Sequence, residues 1–241
     1  MSTAEPGLAD AVLGASRGRH AFEDCVERLA TAIRLGIYPD GSSLPAEREL
    51  ATRMGVSRAT LREAIAALRT ARMVRTTRGR RGGTVVDHAP ATPGEDPSDL
   101  SGRRVELMDS LVFRRVVEPG ACYLAATREL SVEHRQLVQD ALAAVAGAVD
   151  SAEHRQADSR LHLAIAALTE SPKLIDAVTG VQADLHDMLI AIPVLPVNIE
   201  HSNTQHAVIV DAILAGDGGR ARRAMESHCD DTAALLRGFL R

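Results

Sequence analysis

The sequence predicts a mainly α-helical protein made of two parts, a small N-terminal domain with one β-hairpin and a larger all-α bundle. Aromatic residues make up only 2% of the chain and tryptophan is absent, so the core must be aliphatic, which favours helices over a β-sandwich. Apolar residues recur at helical spacing on both sides of a polar segment that divides the chain. The 241 residues, 45% hydrophobic and 25% charged, suffice for one large or two modest folded domains.

The net charge of −4 conceals two regions of opposite charge. Residues 1–88 carry 14 arginines and 10 acidic residues, a net charge of +4, whereas residues 89–241 carry a net charge of −8. Between residues 58 and 81 there are 8 arginines and 1 acidic residue. Such a cluster indicates contact with a polyanion. Arginines also cover solvated helix faces, and with 27 arginines to 1 lysine in this chain, charge alone leaves both interpretations open.

The dividing segment, HAPATPGEDPSDLSG, is rich in proline, aspartate and serine. Because it is dense in turn-forming residues and has no apolar period, we expect residues 88–102 to be a linker. The linker separates a domain at residues 20–87 from a domain at residues 103–241. We expect residues 1–19 to be a disordered tail.

Three features of the sequence bear on the compartment. The N-terminal residues lack the basic and apolar segments of a signal peptide, and the 3 cysteines are too few and too scattered for a disulfide framework. The most apolar stretch, residues 188–197, is short and contains two prolines, so it does not match a membrane span. We therefore expect a cytoplasmic protein that makes no contact with a membrane.

The N-terminal domain begins with a helix within residues 20–36, whose apolar face comprises Phe22, Val26, Leu29 and Ile33. A second, short helix, AERELATRM, is expected to end at Gly55 in the left-handed conformation. Ser57 can cap a third helix that continues through Leu68 or beyond. Two helices joined by a glycine-containing turn form a helix-turn-helix, whose second helix presents its N-terminal side chains to base edges in the major groove.

Two short strands are predicted next, at residues 74–77 and 83–86, joined by the sequence RGRRG. Cationic side chains and glycines at the tip of a hairpin suit close contact with DNA phosphates. The predicted fold is therefore an N-terminal winged helix-turn-helix joined to a C-terminal all-α bundle of six or seven helices.

The run LPAERELATRMGVSRATLREAIAALRTARMVRTTRGRRGGTVV resembles the winged helix-turn-helix of the GntR family of bacterial transcriptional regulators, a match that covers residues 20–87. The resemblance implies a set of DNA-contacting residues: Arg48, Ser57, Arg58, Thr60 and Arg62 in the helix-turn-helix, and Arg78, Arg80 and Arg81 in the wing. The alternative for Arg48 and Arg62 is charge pairing on the helix surface with nearby glutamates.

The C-terminal domain shows only helical periods. The predicted helices span residues 103–127, 131–149, 151–169, 172–192, 198–215 and 218–239. We expect Pro119 to kink or divide the first of these helices, since proline removes a helical hydrogen bond.

Polar residues on the apolar faces of three of these helices are candidate metal ligands. Asp158 and His162 lie four residues apart on one helix face, His206 lies among apolar residues of the next-to-last helix, and His228 shares a stripe with Met225, Leu235 and Phe239. Neutral imidazoles with a carboxylate are ligands that Zn²⁺ or a similar divalent ion prefers. The alternative is that each is a separate hydrogen-bonded core residue or a partly exposed histidine.

Residues 103–239 are similar to the FCD ligand-binding domain of FadR-type GntR regulators, through the segments RRVVEPGACYLAA, DSRLH, QHAVIVDAILAGD and ARRAMESHCDDT. The resemblance implies that Asp158, His162, His206 and His228 bind a metal, and that Arg114 points at the carboxylate of an organic-acid effector. The alternative for Arg114 is an exposed helix charge beside Arg115. The chain departs from the family pattern at two positions, with Leu161 for the usual Phe and Ser171 for the usual Asn.

We therefore expect a homodimeric repressor that binds a double-stranded DNA operator and is controlled by a small carboxylate at a pocket with a divalent metal ion. Zn²⁺ is the expected ion, with Mn²⁺ and Ni²⁺ as alternatives. One alternative function is a metal sensor, in which the ion is the signal. Another is a metal-dependent enzyme acting on a small organic acid, but Glu170 and Glu200 are candidate bases by composition only, so we expect no catalysis.

Overall fold

The computed structural model describes residues 21–77, 83–89, 103–193 and 195–239. The predicted tail, the tip of the predicted wing at residues 78–82, which includes Arg78, Arg80 and Arg81, and most of the predicted linker lie outside these ranges. Over the described residues the chain is mainly helical, as predicted. No helix in this part of the chain is long and apolar enough to cross a membrane.

The described residues before position 90 form three helices and a hairpin. They are α1 (Ala21–Arg34), α2 (Glu47–Met54), α3 (Arg58–Thr70), β1 (Val74–Thr77) and β2 (Gly83–Val86). The strands pair antiparallel, with Val74 opposite Val86 and Thr77 opposite Gly83. The predicted winged helix-turn-helix is therefore present.

The turn between α2 and α3 forms as its sequence predicts. Gly55 ends α2 with a φ of 68°, in the left-handed region that a residue without a Cβ adopts at little cost. The Ser57 side chain then caps α3, because its Oγ accepts a hydrogen bond from the backbone N–H of Thr60 at 3.0 Å. These two residues fix the angle at which α3 leaves the turn.

The core of the N-terminal part lies between α1 and α3. Leu29 and Ile33 of α1 pack in one cluster with Leu61 and Leu68 of α3. Phe22, which the periodicity placed on the inner face of α1, is 36% exposed, and Cys25 is fully buried instead. The predicted apolar face is therefore rotated by about one residue at the start of α1.

The C-terminal part is a helical bundle. Its helices are α4 (Arg104–Thr127), α5 (Val132–Ala146), α6 (Ser151–Ala167), α7 (Pro172–Ile190), α8 (Pro196–Leu214) and α9 (Gly218–Phe239). Helix α4 is central, since it contacts α6, α7, α8 and α9. It runs through Pro119 as one helix, so proline does not divide it, and of the expected kink or division only the kink stays a prediction. Phe239 is 46% exposed and Leu236 is buried in its place, so the predicted stripe on α9 is wrong at its end.

The end of α1 lies against helices α6 and α7 of the bundle. Gln156 of α6 donates a hydrogen bond to the carbonyl oxygen of Arg34 at 3.1 Å, and Arg160 of α6 donates one to the carbonyl oxygen of Gly36 at 3.2 Å. Arg34 also pairs with Asp187 of α7 at 3.2 Å. The DNA-binding part of the chain is therefore held by the helix that also carries two of the predicted metal ligands.

Candidate functional site

Helices α6, α8 and α9 each contribute one buried histidine to the same point in the bundle. His162, His206 and His228 are 2%, 0% and 2% exposed, and one ring nitrogen from each lies within 4.8 Å of the others. The ring centroids of His206 and His228 are 4.6 Å apart. The structure thus brings together the three histidines that the sequence singled out.

Asp158 lies beside this cluster, one helical turn before His162. Its Oδ1 is 3.4 Å from Nε2 of His206, and its Oδ2 is 3.9 Å from Nε2 of His162. The side chain is 13% exposed, so the carboxylate lies at the edge of the buried cluster. All four predicted metal ligands are therefore adjacent.

Five of the six ring nitrogens of the cluster are buried without a hydrogen bond among the described residues: both nitrogens of His162 and of His206, and Nε2 of His228. An unpaired buried polar group costs about 1–3 kcal/mol. Two of these nitrogens lie close to a carboxylate, since Nδ1 of His162 is 2.9 Å from Glu118 and Nε2 of His206 is 3.4 Å from Asp158. A shared ion would use the nitrogens that remain.

The protonation of the cluster also fits a metal. Burial lowers the pKa of His206 to about 4, and burial together with the neighbouring histidines lowers the pKa of His228 well below its ordinary value. Both imidazoles are therefore neutral near pH 7, which leaves a lone pair on each ring for a metal ion. Imidazole nitrogens and a carboxylate form a donor set that fits Zn²⁺ and related divalent ions.

Glu118 of α4 is a residue of the site that the sequence prediction missed. It is 2% exposed, and its Oε2 lies 2.9 Å from Nδ1 of His162 and accepts a hydrogen bond from Nε of Arg114 at 3.0 Å. Burial raises the pKa of Glu118, but Arg114 and His162 reverse this and hold the pKa below its ordinary value. The carboxylate is thus charged and holds Nδ1 of His162, which leaves Nε2 of the ring facing Asp158.

Gln205 of α8 fixes the tautomer of His228. The Gln205 amide nitrogen donates to Asp231 at 2.7 Å, so its Oε1 acts as an acceptor 3.1 Å from Nδ1 of His228. His228 must then carry its proton on Nδ1, which leaves the Nε2 lone pair free. Nothing in the one-dimensional pattern connects Gln205 with His228, since they lie on different helices.

Arg114 is buried next to the cluster. It is 1% exposed, so the alternative of an exposed helix charge is wrong, whereas Arg115 pairs with Asp230 at 2.8 Å on the surface. The NH1 and NH2 groups of Arg114 are buried without hydrogen-bond partners in the described residues. Arg114 lines a pocket of about 70 Å³ together with Asp158 and His228. An anionic group in this pocket would meet both the arginine and the metal site.

The two glutamates considered as catalytic bases lie elsewhere. Glu170 pairs with Arg128 and with His134 at 3.9 Å. Glu200 is exposed on α8. Neither lines the pocket beside Arg114, so neither is placed as a base for a ligand bound there.

The predicted DNA-contacting residues lie around the start of α3. Arg58 is exposed in the first turn of this helix, and Arg48 is exposed on α2. The Ser57 and Thr60 hydroxyls are 2.9 Å apart and exposed. Together with the helix N-terminus, these groups form a cationic and hydrogen-bonding surface suited to DNA.

Arg62 makes the charge pair that was considered as its alternative role. Its Nε lies 2.7 Å from Oε2 of Glu47, with the two side chains 61% and 38% exposed. An exposed pair of this kind contributes about 0–1 kcal/mol. The pair can therefore open at little cost in free energy. Its presence is compatible both with DNA contact by Arg62 and with charge pairing on the helix surface.

Two family models match the chain. The FCD domain model matches residues 109–231, and the model for bacterial regulatory proteins of the gntR family matches residues 22–86. A protein of Mycobacterium gastri assigned as the HTH-type transcriptional regulator RmpR is 31% identical over 214 residues, which are 84% of this chain and 75% of that protein.

A second relative and a solved structure agree with this assignment. The HTH-type transcriptional repressor NanR of Cronobacter sakazakii is 28% identical over 247 residues, with 94% of this chain and 91% of that protein covered. The structure of E. coli McbR/YncC shares the fold, with 17% identity and a TM-score of 0.55 over 92% of this chain and 100% of that one. Both relatives are named as transcriptional regulators, which confirms the prediction of a regulator. This chain belongs to the GntR family of bacterial transcriptional regulators, and it is a DNA-binding regulator with a C-terminal FCD domain.

Proposed function

We propose that this regulator is a homodimeric repressor, acting in the cytoplasm, whose operator binding is controlled by a small carboxylate at a metal-containing pocket of the FCD domain. The observation that carries the proposal is the buried cluster of His162, His206 and His228, with five ring nitrogens that make no hydrogen bond, beside the unpaired NH1 and NH2 groups of Arg114. The repressor role is supported by the name of the relative NanR.

Asp158 and the three histidines would hold the ion, with Zn²⁺ the expected metal and Mn²⁺ or Ni²⁺ as alternatives. A bound divalent ion supplies a Lewis acid that attracts a carboxylate oxygen. Arg114 would bind the same carboxylate through NH1 and NH2, in the two-point geometry that guanidinium groups favour. Glu118 holds Arg114 from the other side, since it accepts from Nε. This leaves the two terminal nitrogens directed to the ligand.

Helix α6 is the proposed connection between the pocket and the DNA-binding domain. Asp158 and His162 of this helix belong to the metal site, and Gln156 and Arg160 bind the end of α1. If α6 can adopt two placements and the ligand binds one more tightly than the other, ligand binding shifts the population of molecules toward that placement. The shift would reach Gly36 through Arg160 and change how the DNA-binding domains are held.

The proposed homodimer would use the outer face of α4. This face is an apolar stripe with exposed fractions of 87%, 58%, 71% and 49% at Val105, Val112, Val116 and Tyr123. The spacing of these positions places them in one line along the helix. Exposed apolar stripes of this length mark protein interfaces, and a second copy would place two α3 helices on a palindromic operator, about one DNA turn apart.

Operator binding in four states of the protein tests the proposal: metal-free, zinc-loaded, and each of these with a panel of small organic acids. Fluorescence anisotropy of a labelled operator gives the affinity. We expect an acid to weaken operator binding only when the ion is present. If Zn²⁺ alone changes the affinity and no acid has an effect, the protein is a metal sensor, and the carboxylate proposal is rejected.

A further inference from the structure

A second cation lines the pocket beside the histidine cluster. Arg155 of α6 is half-buried and lines the same pocket as Arg114, and its NH1 group is buried without a hydrogen-bond partner among the described residues. Burial lowers the pKa of Arg155 to about 10, with Asp158 opposing this shift, so the guanidinium remains charged near pH 7. A buried N–H group of a charged side chain that makes no hydrogen bond is costly, because it has lost its hydration.

Arg155 lies at a different point of the pocket from the ion. It comes three residues before Asp158 and seven before His162, so all three lie on one face of α6. At about 1.5 Å per residue, its Cα lies about 4.5 Å along the helix axis from that of Asp158. Its long side chain therefore provides a cation separate from the metal site.

The charges of the pocket leave room for two negative charges on a ligand. The charge of Arg114 is offset by Glu118, its partner at 3.0 Å, and the charge of Arg155 is formally offset by that of Asp158. A divalent ion in the cluster would then add two positive charges that no described side chain offsets. A ligand with one carboxylate would neutralise only half of this charge.

Much of the pocket wall is apolar. Leu185, Leu189 and Ile192 line the pocket from α7 and the residues that follow it, and Leu235 lines it from α9, beside the polar side chains of Asn198, Ser202 and Thr232. The apolar part of the wall favours a hydrocarbon chain in the middle of a ligand. The combination of charged ends and an apolar middle describes a short-chain diacid.

We propose that the effector is a dianion with two separated acidic groups, of the dicarboxylate class, and that Arg155 binds the acidic group that does not contact the ion. This inference rests on the proposed function, since it concerns the same pocket. It adds that Arg155 determines specificity, by distinguishing diacids from monoacids of the same length.

Isothermal titration calorimetry on the zinc-loaded full-length protein tests this assignment. The probes are malonate, succinate, glutarate and adipate, each compared with the monocarboxylate of the same carbon number. We expect at least one diacid to bind about tenfold or more tightly than its monoacid partner, as a buried charged hydrogen bond would give. Arg155→Gln should remove this preference by weakening diacid binding far more than monoacid binding, whereas Arg114→Gln should weaken both classes alike.

Two further variants control for folding and for charge. Arg155→Lys keeps a cation and should retain part of the preference, whereas Arg115→Gln, on the exposed side of α4, should bind all acids as the wild type does. Monoacids that bind as tightly as diacids, or a preference that persists in Arg155→Gln, overturn the dianion assignment and leave the carboxylate pocket in place. If no acid of either series binds the wild type, the proposed function itself fails.

Discussion

Arg160 and Gly36 join the two domains of this regulator, through a hydrogen bond of 3.2 Å from NH1 of Arg160 to the carbonyl oxygen of Gly36. Gly36 has a φ of 69°, and a Cβ atom at this position would lie 2.8 Å from the side chains of Arg160 and Gln156. The left-handed backbone therefore favours glycine, and an added Cβ would displace the side-chain ends of Arg160 and Gln156 that make this contact. The contact ties the end of α1 to the helix that carries Asp158 and His162.

Gly36→Ala should weaken this contact and reduce the response of operator binding to metal and acid. Gly41→Ala is the matched control, because Gly41 also has a positive φ of 74° but has open space around its Cβ position. Both variants should lose about 1 kcal/mol or more of unfolding free energy from backbone strain. Only Gly36→Ala should uncouple the domains, as measured by operator affinity with and without ligand. An equal response in the two variants would remove Gly36 from the path.

Arg62→Ala should weaken specific operator binding by about 1–3 kcal/mol if Arg62 reads a base. The comparison variant is Glu47→Ala, which removes the 2.7 Å partner of Arg62 and leaves the arginine free. If pairing with Glu47 is the only role of Arg62, both variants should bind the operator like the wild type. Anisotropy titrations with the operator and with unrelated DNA, at several salt concentrations, separate base contacts from phosphate contacts.

His186 makes the metal-free protein less stable in acid. Burial lowers the pKa of His186 to about 4, with Arg34 and Arg155 lowering it further and Asp187 opposing them. The unfolded chain takes up a proton near the ordinary pKa of about 6.5, whereas the folded protein does so only near pH 4. The contribution of His186 to the free energy of unfolding is therefore complete above pH 6.5 and falls as the pH is lowered. At pH 5 the loss for this residue is about 2 kcal/mol.

The measurement is urea unfolding of metal-free wild type and His186→Gln between pH 5 and pH 7.5. The variant should lose less stability over this range than the wild type, because one neutral buried imidazole has been removed. An identical loss in both proteins would mean that His186 is not responsible.

Val116→Glu should disrupt the homodimer. Val116 is 71% exposed in the middle of the apolar stripe of α4, and Val132, 77% exposed on α5, is a matched position outside it. A glutamate at the centre of an apolar interface would be buried without a partner, so analytical ultracentrifugation should show monomers for Val116→Glu and dimers for Val132→Glu. Dimers in both variants would place the interface elsewhere.

The sequence predicted the helices because they depend on local spacing, and it singled out the residues that the structure brings together in the histidine cluster. Asp158 and His162 are four residues apart on one helix, and Ser57 and Gly55 mark helix ends by their own chemistry. The helical periodicity did not predict the burial of side chains that depends on contacts between helices. It could not show that Arg114 is buried with Glu118, since an arginine in a helix is ordinarily exposed.

The sequence pattern also could not predict which residues from separate helices contact one another at the site. Gln205 orients His228 across the space between α8 and α9, and Arg155 enters the pocket beside the cluster. Neither residue belongs to a periodic stripe or a spaced pair. Their positions follow only from the way α4 packs at the centre of the bundle.

The metal content of purified variants tests the central claim most directly. Elemental analysis after loading with Zn²⁺ should give one ion per chain in the wild type and in the control His134→Ala, a partly exposed histidine on α5. Replacement of Asp158 by Asn, or of His162, His206 or His228 by Ala, should reduce the bound metal strongly and lower the Tm. Full occupancy in His206→Ala or His228→Ala would contradict the assignment of these residues as ligands.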